Sequence, residues 1–509
     1  MAIPTTQVRH ARLPWALTTH LQKTDMKEAA APANRAAKRK FYKWHRIIGL
    51  TALVPVIFWT LSGLSHPFMS NWFRPFIPVE VYKQPLQSEI KPTLSIQQVL
   101  DQNHIAQLRN FSLIGFNKTP YYQVIGTDST YNYYSALTGR VLPGGDQQYA
   151  IYLARYFTQD STSAIKSIKL QKTFDGQYQP INHLLPVWKV SFNRANGMDV
   201  YVETAQSRMG TFNNNLRKNF LWLFEQFHTW QFLVAIGGNT FRLVIMLVLV
   251  TCMFLAMLSG LIVYGLFWKN FKSVIEKHKQ KGIADRRFIH RYHRQTGLTI
   301  SFILFMFLVS GAFHIIVQLR ETDPQKADFG QVINRPELTI SNLHPAVADS
   351  LIKRVGLAKF NGHTYYQITN KKKQIIYVDA ANGAGLPNGD EQFARFLSNY
   401  YGDGKTTGEP KISRIGQFDN EYGFINKRLP VQKIAYPNGE NWYIETTSAK
   451  LATKVAGIDR AEGLSFIFLH KFFWMTWAGK DIRDMVSILA ALTVLLTSLL
   501  GFASFIKNK

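Results

Sequence analysis

Four stretches of the chain are apolar over nearly their whole length, at about 47–69, 242–266, 298–320 and 485–506. Each is long enough for a helix to cross the hydrocarbon layer of a bilayer, so the pattern predicts four transmembrane helices. Pro55 lies inside the first, where a membrane helix tolerates it at the cost of a kink. Between the first and second spans, and again between the third and fourth, polar residues alternate with β-branched and aromatic ones. Y-Y-Q-V-I-G from Tyr121 and Q-I-I-Y-V-D from Gln374 are examples. Thr138-Gly139, Asn382-Gly383 and Asn388-Gly389 supply turn signals between such runs. With short helices expected near 94–103 and 146–157, each loop reads as a small α+β domain, at 71–219 and 321–462. The segment 220–236 is apolar but carries Glu225, Gln226 and His228 before Gly237-Gly238. It predicts an interfacial helix ahead of the second span, with 463–478 as its counterpart.

The pattern repeats. W-H-R-x-x-G-L from Trp44 recurs as Y-H-R-x-x-G-L from Tyr292, and S-G-x-x-H from Ser62 recurs from Ser310, both at an offset of 248. Further matches follow in order: Tyr134–Asp146 with Val378–Asp390, N-x-x-L-P-V from Asn182 and Asn426, and Y-V-E-T from Tyr201 with Y-I-E-T from Tyr443. Phe227-His228 then matches Leu469-His470, and G-x-x-x-R from Gly238 recurs from Gly479. The expected architecture is an α-helical membrane protein built by internal duplication, each half giving two spans and one loop domain. An even number of spans per half makes the copies parallel, related by an axis along the membrane normal.

Charge orients this arrangement. Net charge is +27, from 59 Lys and Arg against 32 Asp and Glu. Residues 35–46 hold Arg35, Lys38, Arg39, Lys40, Lys43 and Arg46 with no acid, and residues 268–294 hold nine basic residues against Glu276 and Asp285. Basic residues flanking spans mark the cytoplasmic side. Both termini and the basic loop 267–292 are therefore expected in the cytoplasm of a bacterium, and both loop domains in the periplasm, across the inner membrane. Residues 1–40 lack an apolar signal core and read as a disordered cytoplasmic tail. No nucleic-acid motif accompanies the positive charge, so the expected partner is the lipid bilayer and not DNA or RNA. The one cysteine, Cys252, lies inside a span. It excludes intrachain disulfides, covalent C-x-x-C-H haem attachment, and cysteine-held zinc or iron–sulfur sites.

Ionisable residues in spans are costly and mark function. Six histidines lie in or beside spans and recur between halves: His45 with His293, His66 with His314, and His228 with His470. Within each half the two span histidines are 21 residues apart, a helical rise of about 31 Å, close to the hydrocarbon thickness. Histidine is the usual ligand of haem iron in helical bundles, so all six are candidate haem-iron ligands and two noncovalent haems are expected. Two pairings stay open. One haem sits between His45 and His293 with another in the remaining group, or two symmetry-related haems each take one span and one interfacial histidine. Arg242 and Arg483 suit haem propionates. Trp59, Trp474 and Trp477 are candidate electron relays, with an interfacial aromatic belt as the alternative. Glu225, one turn before His228, is a candidate to orient its ring. No H-E-x-x-H, Walker loop, G-x-G-x-x-G or G-x-S-x-G occurs, and no acid–base catalytic set is expected.

These histidine motifs, the G-x-x-x-R opening a span and the T-G-R-V-L-P element of the first loop together resemble the PepSY-associated transmembrane helix family over about residues 40–506. The second loop departs from that element, with A-N-G-A-G-L. The resemblance implies haem b, a four-helix membrane core and PepSY-like periplasmic domains. It further implies a ferric-siderophore oxidoreductase, supplied with electrons by a cytoplasmic or quinol donor. Hard anionic oxygen ligands hold ferric iron better than ferrous, so one electron releases the metal. The alternatives are a non-enzymatic PepSY-type ligand-binding or permease-associated protein, and a haem carrier or sensor.

Overall fold

The computed structural model describes residues 16–71, 92–280, 288–320, 326–340, 352–403 and 408–507. The first half contains α1 (Ala16–Asn71), α2 (Ile96–Gln102), β1 (Gln107–Leu108), β2 (Asn110–Phe116), β3 (Thr119–Ile125), β4 (Tyr131–Ser135) and α3 (Gly145–Thr158). It continues through β5 (Ile165–Gln171), β6 (Val187–Phe192), β7 (Asp199–Glu203), β8 (Arg208–Asn213), α4 (Asn215–Phe227) and α5 (Val234–Gln280). The second half contains α6 (Phe288–Gln318), β9 (Ile333–Asn334), β10 (Ile352–Phe360), β11 (His363–Asn370), β12 (Ile375–Asp379), β13 (Gly385–Leu386) and α7 (Gly389–Tyr401). It ends with β14 (Lys411–Ile415), β15 (Val431–Ala435), β16 (Asn441–Glu445), β17 (Lys450–Val455), α8 (Gly457–Ser465) and α9 (Lys480–Ile506).

Among the described residues four helices are long and apolar enough to cross a membrane: Lys38–Ser65, Gln231–Lys269, Phe288–Gln318 and Lys480–Ile506. The chain is a multi-pass membrane protein. Helix extends beyond the expected spans. α1 begins at Ala16, within the stretch expected to be a disordered tail, and α5 runs to Gln280, within the stretch expected to be a basic loop. The expected interfacial helices are broken. α4 stops at Phe227, Trp230 takes a positive φ of 54°, and α5 kinks at Gly238 with φ 79°. In the second half a π-turn at Phe466–His470 leads to Phe472 at φ 51°, then a 3-10 segment Phe473–Ala478 and Gly479 at φ 83°. Both histidine-bearing segments thus reverse through a non-glycine residue in the left-handed region, a strained geometry that surrounding packing has to hold.

The chain divides into two compact units. One holds the spans: the chain up to Leu64, Phe232–Ile316 and Phe466–Lys509. The other holds the loops, Ser65–Gln231 and Val317–Ser465.

In the loop unit each half folds alike. The first loop has antiparallel sheets of order β2-β3-β4 and β5-β6-β7-β8, and the second has β10-β11-β12-β13 and β14-β15-β16-β17. The expected helices at 94–103 and 146–157 are α2 and α3. A capping box between Ser95 and Gln98 starts α2. In each loop an aspartate in the first turn of a helix ties the helix to its sheets. Asp146 accepts hydrogen bonds from Tyr133 (2.8 Å) and Trp188 (2.6 Å), and Asp390 from Tyr377 (3.0 Å) and Thr446 (2.6 Å). Trp188 and Trp442 are core residues, each packed in the cluster beneath its helix. β7 and β16 are buried at every position. Each is covered on its outer face by a tyrosine from a preceding loop, Tyr178 on Tyr201 at 4.7 Å and Tyr422 on Tyr443 at 4.4 Å.

The two loops share one core, in which Val99, Leu100 and Phe111 pack with Ile333, Leu357 and Ile368. β1 pairs with β9 across the halves. Charge joins them too. Glu445, fully buried, accepts from Arg208 and from Arg428 (2.8 Å), and Glu203 lies 3.9 Å from Arg428. Burial alone would raise the Glu445 carboxyl, but the Arg208 and Arg428 guanidiniums hold it well below the usual range.

Candidate functional site

His45 on α1 and His293 on α6 face each other in the span unit. Their ring centres are 6.3 Å apart and their planes differ by 31°. Each ring is held from behind by the following span of its own half. His293 Nδ1 lies 2.9 Å from the carbonyl oxygen of Thr497, so that nitrogen carries the proton and donates. His45 Nδ1 lies 3.0 Å from Ser259 Oγ, and Ser259 spends its own hydrogen on the Ala256 carbonyl at 2.9 Å. The serine oxygen can therefore only accept, and His45 donates from Nδ1 as well. Both rings keep a bare Nε2 lone pair, the form in which imidazole binds a metal. Glycines on α5 and α9 make room. A Cβ on Gly260 would lie 3.0 Å from His45 Cε1, and one on Gly501 2.9 Å from His293 Cε1.

These residues fit haem iron. With a metal–nitrogen bond of about 2 Å, two imidazoles that held one iron between them would have ring centres about 6 Å apart. Among the described residues no three His, Cys, Asp or Glu converge as a metal cluster. A porphyrin, which brings four nitrogens of its own, needs only the two that His45 and His293 provide.

A second group forms around Phe466. Its ring stacks on His470 (5.0 Å, 12°) and stands 5.7 Å from His314, while Phe307 of α6 lies 5.1 Å from His470. His314 and His470 thus share one aromatic neighbour. Ser310 is buried one helical turn before His314, and its hydroxyl has no hydrogen-bond partner among the described residues. Among the described residues no atom stands within 4 Å of where a Cβ on Gly311 would lie. In the loop unit His228 repeats the stacking of His470, lying on Phe224 at 4.4 Å and 14°. His66 belongs to α1, but its side chain lies outside the described residues.

The other candidate residues lie in varied surroundings. Arg242 hydrogen-bonds Asn239 Oδ1 (3.1 and 2.8 Å), and Arg483 lies 4.2 Å over the Phe473 ring. Glu225 accepts from Gln179 at 2.9 Å, and burial raises its pKa. Trp59 is half-buried in its span. Trp474 stands edge-on to Phe472 (6.3 Å) and Trp477 is 82 % exposed, which suits an interfacial belt better than a relay. Three contributors carry no signal of their role in the sequence. Ser259 and Thr497 sit amid apolar runs, and their role shows only once α5 and α9 pack behind the histidines. Lys471 follows His470 directly, its Nζ 5.5 Å from the Phe466 ring centre. Burial, then Arg483, lowers its pKa.

A family model described as PepSY-associated TM region matches residues 143–453, more than half of the chain. The match includes His228, His293 and His314. No curated protein matches the chain.

Proposed function

The chain belongs to the PepSY-associated TM region family, and on that premise we propose that it is a haem-b membrane reductase that releases iron from ferric siderophores. The observation that carries this reading is the His45–His293 pair, with ring centres 6.3 Å apart and both Nδ1 atoms committed to hydrogen bonds. One ring comes from each half, so internal duplication would itself create the site. The recurring order of elements in the two loops supports that duplication.

In this reading His45 and His293 hold one haem near the cytoplasmic face, and His314 with His470 belongs to a second near the opposite face. Bound haem would supply one-electron transfer. Ser259 and Thr497 would orient the two imidazoles toward it, and Gly260 and Gly501 would leave the rings room. Each loop domain connects an odd span to an even one, which puts both on the same side of the bilayer. The basic flanks assign that side to the periplasm of an inner membrane. The ferric siderophore is reduced there, with electrons from a cytoplasmic or quinol donor. The chain needs no general acid or base, because ferric-to-ferrous reduction alone loosens the oxygen ligands.

The experiment is anaerobic. Detergent-purified protein is reduced with dithionite, freed of excess reductant and mixed with a ferric siderophore. Reoxidation of the b-type absorption bands, matched by ferrous iron captured by a chelator, is the expected result. A haem that stays reduced beside an unchanged ferric siderophore would leave a haem carrier or sensor. A colourless, folded preparation would leave a PepSY-type ligand-binding or permease-associated protein.

A further inference from the structure

One position beside the His45 and His293 rings carries a hydroxyl in the second half only. Three residues after the glycine that admits each ring stands Val263 on α5 and Ser504 on α9. Ser504 is 8 % exposed, and its hydroxyl has no hydrogen-bond partner among the described residues. A serine or threonine inside an apolar helix ordinarily donates to the carbonyl four residues back. Every other hydroxyl of α9 does so: Ser487 to Arg483 (3.1 Å), Thr493 to Leu489 (2.7 Å), Thr497 to Thr493 (2.8 Å) and Ser498 to Val494 (3.0 Å). Ser504 does not. A hydroxyl kept from water without an acceptor costs about 1–3 kcal/mol, so this position calls for an acceptor that the chain does not supply.

The surroundings indicate which acceptor. Residues three and four apart share a helix face, so Ser504 and Phe505 lie on the face of α9 that carries Gly501, one turn nearer its C-terminal end. Gly501 lies against the His293 ring. Phe505 lies under the Arg46 guanidinium, 4.9 Å from it to the ring centre, and Arg46 adjoins His45 on α1. A guanidinium over a ring face keeps N–H donors at its edge for an oxyanion. A hydroxyl beside a guanidinium offers directed donors together with a positive charge, which is the chemistry that recognises a carboxylate.

We infer that Ser504 and Arg46 form a carboxylate-binding pair beside the His45 and His293 rings, and that they take one propionate of the haem read there. This rests on the haem reading of that ring pair. Arg46 supplies charge and Ser504 supplies direction. Val263 leaves the matching place in the first half without a hydroxyl, so the pair is made once.

The test uses Ser504→Thr and Ser504→Val, which have the same shape and differ in the hydroxyl. Valine is also what the first half carries at this place. Both variants, wild type and Arg46→Leu are stripped of haem and reloaded in detergent with haem b or with its dimethyl ester. Occupancy is read from the low-spin ferric signal that His45→Ala removes, and its midpoint potential from a redox titration. Ser504→Val should weaken haem b about tenfold, the loss of one charged hydrogen bond. Ser504→Thr should hold it as wild type does. The ester, which has no carboxylate, should bind both variants alike. Arg46→Leu should also weaken haem b, and it should lower the midpoint potential, since a nearby positive charge favours the reduced form. The proposal is overturned, with the haem reading intact, if Ser504→Val holds haem b as tightly as Ser504→Thr or weakens haem b and ester equally. It is overturned too if Arg46→Leu loses a co-purifying phospholipid while its haem b affinity is unchanged, which would assign Arg46 to a lipid headgroup. Wild-type protein that takes up no haem, or whose low-spin signal survives His45→Ala, overturns both the proposal and the haem reading of this pair.

Discussion

The two histidine groups of the span unit are built on different plans. At one end His45 and His293 come from opposite halves, and each is backed by a glycine and a hydrogen-bond acceptor from its own half's next span. At the other end His314 and His470 both come from the second half and share Phe466, beside which stands Lys471, where the first half has Thr229. A repeated sequence makes a symmetric site where its copies meet. It makes a specialised one where a single copy closes on itself and is free to diverge.

The strongest way to break this comparison is to remove the shared histidines. His45→Ala and His293→Ala should each lower haem content by about half, and the double variant should lower it no further, because both rings serve one iron. Pyridine haemochrome assay of the purified variants reads this. Additive losses would mean that the two rings serve separate haems.

The histidines are legible in the sequence, but their pairing is not. The 248-residue offset and the basic caps put His45 and His293 at the same end of their spans, and that their rings meet is seen only in the fold. What stays hidden depends on packing between distant segments. Ser259 and Thr497 lie more than 200 residues from the rings they orient. The reversals at Trp230 and Phe472 carry no glycine or asparagine to announce a positive φ, so each apolar run reads as one interfacial helix. The place of Arg483 at a span end suggests a propionate partner, but Lys471 and Phe473, which define its surroundings, become its neighbours only in the fold. The loops are easier. Turn signals and alternation indicate α2, α3 and the hairpins, although the full burial of β7 and β16 comes from Tyr178 and Tyr422 arriving over their outer faces.

A second test asks whether the two units respond separately. Glu445→Gln strips Arg208 and Arg428 of their buried carboxylate and should destabilise the loop unit by about 3–5 kcal/mol. Thermal unfolding followed by tryptophan fluorescence measures it, and the b-type spectrum should keep its band positions. A spectral shift would show that loop packing reaches the axial ligands.

Smaller effects sharpen the view of the symmetric end. Gly501→Ala and Gly260→Ala should each perturb the haem, since the added Cβ would come to 2.9 Å and 3.0 Å of a histidine ring carbon. Crowding of this kind costs about 1–3 kcal/mol, read here as weaker haem retention during dialysis. Retention equal to that of the wild type in both variants would argue that the rings move freely.

The smallest effect concerns pH. Burial pushes Glu421 up, but hydrogen bonds from Tyr443, Arg460, Asn441 and Lys433 outweigh it and hold the carboxyl down to about 2. A depressed carboxyl contributes stability that is complete above its unfolded value of 4.5 and is lost as pH falls toward 2. Glu421→Gln should therefore lower stability at neutral pH and flatten the acid limb between those values, as followed by chemical denaturation across pH. An acid limb of unchanged slope would remove Glu421 from that account.

The most direct test of the central claim is electron paramagnetic resonance of the oxidised, detergent-purified protein. Two axial imidazoles predict low-spin ferric haem in the wild type. In His45→Ala and in His293→Ala one low-spin component should turn high-spin or vanish, and it should be the same component in both. A low-spin spectrum that survives both substitutions unchanged would contradict a haem shared between the two halves.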